Sequence, residues 1–128
     1  MPTLFFALLP NASRGRVAAA LCVLALSAQV ASAMSIRELR ALEKSDSKQG
    51  ANYKRYYLVG VMEGMLAAHD QGTRAGATPA ICLNGRRLVP SMAEGLYQTE
   101  LQRNSDLYEA DMPVQLVMGN ALSTVYGC

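Results

Sequence analysis

A chain of 128 residues has room for one domain and not for two. Twelve Lys and Arg against ten Asp and Glu leave a formal net charge of +2. That balance is too even for the concentrated basic face that a nucleic-acid partner demands.

The N-terminal residues have the pattern of an export signal. Arg14 and Arg16 supply positive charge, residues 17–30 (VAAALCVLALSAQV) form an apolar run of signal-core length, and Ala31-Ser32-Ala33 fits small-residue cleavage before Met34. The run is too short for a membrane anchor and has no basic flank on its far side. Leu21 before Cys22 argues against a lipoprotein anchor, and Gly15 splits the arginines, which removes a twin-arginine signal. Cleavage would leave 128 − 33 = 95 residues (34–128), with all ten acids and every base except Arg14 and Arg16, so the net charge falls to about zero. The expected product is a periplasmic domain with no membrane attachment.

Ser35 and Glu38 open that domain as a capping box, and Ile36, Leu39 and Leu42 recur at helical spacing, which predicts a first helix to about residue 44. The polar residues 45–50 (SDSKQG) read as a turn. A central helix follows over about 51–70. Tyr53, Tyr57, Val61 and Met65 form one row at i, i+4, and Tyr56, Gly60, Gly64 and Ala68 form a second row beside it. A helix this apolar all round belongs inside a bundle. Gly60 and Gly64 each cost roughly 1 kcal/mol against Ala, so close approach of another helix is the expected reason for them.

Residues 71–80 (QGTRAGATPA) read as a loop, and Asn84-Gly85 as a tight turn after the short apolar segment 81–83. A third helix starts near Pro90, with Ser91 and Glu94 as a second capping-box pattern and Ala93, Leu96, Tyr97 and Leu101 as its apolar face. Residues 104–112 (NSDLYEADM) are an acidic connection. Asp111 stands at the N-cap position of a last helix whose face is Val114, Val117, Met118, Ala121, Leu122 and Val125.

Cys22 leaves with the signal, so Cys82 and Cys128 remain as an even pair in an exported chain, which implies one disulfide. Two cysteines and the single, distant His69 are too few for structural zinc, and no cofactor motif is present. Closing so long a loop is worth about 4 kcal/mol in the chain-entropy account. The expected fold is therefore all-α: a small bundle of about four to five helices with one disulfide.

Three segments carry a family resemblance: Tyr-Leu-Val-Gly-Val-Met-Glu-Gly at 57–64, Ile-Cys-Leu-Asn at 81–84 and Ala-Leu-Ser-Thr-Val-Tyr-Gly-Cys at 121–128. In this order, behind a signal peptide, they resemble the Tai/Rap family of periplasmic immunity proteins, which protect bacteria against type VI secretion amidase toxins. Asn84 and Gly127 stand where that family usually has Pro. The resemblance implies an all-helical, single-disulfide domain, often a homodimer, that enters the cleft of a peptidoglycan amidase with a protruding loop and catalyses nothing. By position the loop is 104–112, with Asp106, Leu107, Tyr108 and Glu109 as candidate contacts. Two other classes share parts of the pattern. One is a periplasmic acid-stress chaperone of the Hde type. The other is a small cell-envelope enzyme using Glu63 and His69, although these are six residues apart and face different sides of the central helix.

Overall fold

The computed structural model describes residues 33–128 as one compact unit, and the signal-peptide expectation for 1–33 lies almost wholly outside it. Four α-helices account for the architecture: α1 (Ile36–Ser45), α2 (Gly50–Arg74), α3 (Met92–Arg103) and α4 (Val114–Tyr126), with one 3₁₀ turn at Ser105–Leu107. The all-α bundle with a single disulfide is what the sequence predicts. α1 packs on α2, α3 on α4, and both α3 and α4 on α2. The core comprises Ile36, Leu39, Leu58, Met62, Val114, Val117, Met118 and Leu122, all fully buried.

α1 starts where its capping box places it. The Ser35 hydroxyl accepts the Glu38 N–H at 3.2 Å, and the Glu38 carboxylate accepts the Ser35 N–H at 2.7 Å. The Ser35 N–H, and second the Ser35 hydroxyl, which donates to the same carboxylate at 2.8 Å, hold the Glu38 carboxyl below its usual range. The turn into α2 is built by Asp46, whose carboxylate accepts the N–H groups of Lys48 and Gln49 at 2.7 and 2.9 Å.

α2 runs one turn further than its sequence suggests. Gly72 lies inside it, and the helix stops at Gly76, which has φ +98°. Ala77 N–H bonds Gly72 C=O and Gly76 N–H bonds Thr73 C=O, both at 3.0 Å, which is a Schellman closure. The stop is set by the glycine that takes the left-handed conformation, not by the first glycine in the run.

The expectation that α2 is buried on every side is overturned. Leu58, Val61 and Met62 face the core, while Tyr53 and Tyr56 stand 45% and 73% exposed. Gly60 and Gly64 lie on that open face, and a Cβ on either would meet no atom within 4 Å. They are not a close-packing seam. The α2 glycine that does permit close approach is Gly50, buried in the α1–α2 corner, where a Cβ would fall 1.9 Å from the Glu43 carbonyl oxygen.

Three helices meet at a buried cation. Lys54 of α2, 8% exposed, donates to Glu43 of α1 at 2.6 Å and pairs with Glu94 of α3 at 2.8 Å. Burial pushes the ammonium pKa down, but the two carboxylates outweigh it and the net shift is upward. The hydrogen bond from Lys54 correspondingly holds the Glu94 carboxyl below its usual range. This pairing defeats the second capping box: Ser91 is helical in backbone and makes no side-chain cap, because Glu94 is turned toward Lys54 and Arg55. Asp111 likewise does not cap α4. The N-cap is Pro113, and Asp111 forms an exposed pair with Arg37 at 3.0 Å.

Segment 75–91 has no helix or strand and is tied down first at the disulfide. Cys82 and Cys128 are bonded with Cα atoms 4.9 Å apart across a separation of 46 residues, Ile81 bridges Gly127, and Cys82 N–H bonds Tyr126 C=O at 2.6 Å. Asn84 (φ 50°) and Gly85 (φ 79°) form the tight turn, closed by Arg86 N–H on Leu83 C=O. Arg86 then lies over the Tyr126 ring at 4.6 Å. At the opposite edge Ser35 bridges Pro113, so α1 enters beside the start of α4.

Two outcomes follow. In urea denaturation, Gly60→Ala and Gly64→Ala should each stabilise the protein, by up to about 1 kcal/mol, whereas Gly50→Ala should destabilise it by about 1–3 kcal/mol. Glu94→Gln should cost about 2 kcal/mol at neutral pH, the scale of a hydrogen bond to a charged group. Because the folded-state pKa of Glu94 is lowered, its contribution is present above the ordinary glutamate range and fades as pH falls through the depressed value. The gap between wild type and Glu94→Gln should therefore close on acidification, as read by thermal melts between neutral pH and pH about 3.

Candidate functional site

The connection between α3 and α4 is built outward from a buried carboxylate. Glu100 lies on the inner face of α3 at 5% exposure. One of its oxygens, Oε1, accepts the Tyr108 hydroxyl at 2.6 Å and the Asn104 amide at 2.9 Å. Asn120 of α4 donates its amide to the same Tyr108 oxygen at 2.9 Å. Burial, and then the bond to Glu100, push the Tyr108 phenol pKa upward. Tyr108 is thus folded back on the bundle, bracing the connection against both neighbouring helices.

The adjacent residue does the reverse. Leu107 ends the 3₁₀ turn and stands 65% exposed, with Asp106 and Glu109 exposed on either side of the Leu107-Tyr108 pair. Asp106 accepts only from its neighbour Ser105, at 3.4 Å, and none of the described bases pairs with Asp106 or Glu109. Of the four candidate contacts, three face water on one short, braced turn, and the fourth is the brace. The sequence marks Leu107 and Tyr108 as the large side chains of an acidic segment. It does not say which points outward, because that depends on Glu100 and Asn120 at distances of eight and twelve residues.

A second surface was not anticipated. The open face of α2 carries a shallow apolar hollow of about 570 Å³ over Tyr56, Gly60, Gly64, Met65 and Ala68. Gln115 lines its edge: its amide N–H bonds the Tyr57 hydroxyl at 3.2 Å, and its carbonyl oxygen is buried without a partner. Exposed tyrosines beside bare glycines give this face aromatic projections and a flat floor, the composition of a protein-contact surface.

Glu63 and His69 are not brought together. Glu63 is exposed and makes no hydrogen bond with His69. The Nε2 of His69 accepts the backbone N–H groups of both Ala80 and Ile81, at 3.1 Å each, and its Nδ1 lies 3.6 Å from Asp70. The imidazole therefore latches the end of segment 75–81 onto α2, one residue before the disulfide. His69→Ala should remove both bonds, leaving the half-buried Ile81 donor without its acceptor, and cost about 1–2 kcal/mol in chemical denaturation, while Glu63→Gln should stay within about 0.5 kcal/mol of wild type. Equal stability of the two variants would remove the latch.

Among the described residues no cluster of His, Cys, Asp and Glu could hold a metal ion, and no helix is long and apolar enough to cross a membrane. In comparisons with known proteins, no protein family, curated protein or solved structure matches the chain.

Proposed function

We propose that this chain is a periplasmic immunity protein that binds and sterically blocks a type VI secretion amidase, a peptidoglycan hydrolase. The observation that carries the reading is the braced turn. Leu107 projects from a connection whose other side is anchored by Tyr108 to α3 and α4. A side chain held outward by its surroundings enters a cleft without the ordering cost that a floppy loop pays on binding. The flanking Asp106 and Glu109 favour a cleft with basic rims. The motifs at 57–64, 81–84 and 121–128 supply the class of target. The role needs no catalytic group of the inhibitor's own; His69 serves here as a backbone acceptor and Glu63 stands in solvent.

Leu107 is the first choice of anchor and Tyr108 its support. Leu107→Ala should weaken binding to the target amidase by about 2 kcal/mol or more, roughly thirtyfold in Kd, with unchanged helical content. Tyr108→Phe keeps the ring and loses the hydroxyl, and should weaken binding less. Affinity is read by calorimetry with the purified amidase, and protection by lysis of cells that co-express it in the periplasm. If Leu107→Ala protects fully while Tyr56→Ala fails, the occluding surface is the open face of α2 and the turn is not the plug.

A further inference from the structure

Glu100 leaves half of its carboxylate unused. Oε1 holds both Tyr108 and Asn104, but among the described residues the second oxygen accepts no hydrogen bond and no base forms an ion pair with the group. A carboxylate at 5% exposure loses most of its hydration, and burial without a counter-charge is costly. Glu100 lines a groove of about 290 Å³ between α3 and α4, walled by Met92, Leu96, Ala121 and Val125, and its second oxygen keeps some accessible surface. Arg103 borders the same groove without pairing with Glu100. The arrangement is an apolar slot with a lone buried anion in its wall.

We propose that this groove binds a small ligand consisting of a short aliphatic chain with one cationic nitrogen, the chain lying between α3 and α4 and the ammonium pairing with the free oxygen of Glu100. Charge complementarity selects the head group, because a cation is what the buried carboxylate lacks. The walls select an apolar body. The surroundings select a free small molecule over a protein segment. Beside the groove Thr99, Gln102, Ser123 and Thr124 face water as polar side chains and Val125 stands 43% exposed, which is too little apolar surface for a partner chain. The site does not depend on the immunity reading, since Leu107 lies outside its lining.

The test uses hexylammonium chloride as probe, with hexanol and sodium hexanoate as neutral and anionic controls, titrated into the isotope-labelled protein and followed by amide chemical shifts. Hexylammonium should give saturable shifts confined to α3 and α4 around Leu96, Glu100 and Ala121. Hexanol should bind at least about tenfold more weakly and hexanoate more weakly still. Glu100→Gln retains an oxygen for Tyr108 and Asn104, and should erase the preference for the ammonium while leaving hexanol unchanged. Should that variant fail to fold, Gly95→Leu takes its place. A Cβ at Gly95 meets nothing within 4 Å, and leucine favours a helix over glycine, so this variant should fold and fill the slot, abolishing binding. Equal affinity for hexylammonium and hexanol, unchanged binding to a folded Glu100→Gln or Gly95→Leu, or the absence of saturable shifts in the groove would each overturn the proposal.

Discussion

The bundle depends on a single buried ammonium. Lys54 sits where α1, α2 and α3 converge, and little water is left there to solvate it. The carboxylates of Glu43 and Glu94 take over that task, and the three groups together fix how far each helix can slide along the others. A buried charge is retained only while its partners stay within hydrogen-bonding distance, so a small register shift of α1 or α3 would expose the penalty that the triad offsets. The close approach at Gly50 reinforces this from the neighbouring corner, because there the α2 backbone meets the carbonyl of Glu43 itself.

The second organising constraint is covalent and sits at the other end. Segment 75–91 contributes little regular structure, yet it is held by the sulfur bridge, by the backbone pairing of Ile81 and Cys82 with the end of α4, by Arg86 over Tyr126, and by the double acceptor at His69. Away from that segment, the Leu107 turn and the open face of α2 both present exposed apolar side chains. The proposed blocking role draws on the first of these, whose geometry comes from bracing behind it.

What could be read in the sequence was what is local or obligatory. Ser35 and Glu38 announce α1 because both partners of the box lie within one turn. Asn84-Gly85 announces its turn because few other pairs tolerate two positive φ values. The disulfide followed from parity once Cys22 was set aside. Apart from the end of α2, which Gly76 sets locally, the departures are long-range. Glu94 three residues after Ser91 has the form of a cap, but Lys54, forty residues earlier, is the stronger claimant for that carboxylate. Asp111 was drawn from its helix end by Arg37. Gly60 and Gly64 have the spacing of a packing seam, and spacing cannot say on which side of α2 the other helices lie. In the candidate site the segment was legible and its orientation was not, since Glu100 and Asn120 decide which of Leu107 and Tyr108 faces out.

The bridge between Cys82 and Cys128 also changes how the chain responds to force. In an unbridged bundle, tension applied at the end of the last helix peels that helix away turn by turn. Here a pull at Cys128 passes through sulfur directly to Cys82, the midpoint of the folded unit, and α4 lies inside the covalent loop, shielded from the load. The same tension is delivered to the segment latched by His69. The first element to yield under traction is then the irregular stretch between α2 and α3, and the core-forming helix α4 remains seated while it does so.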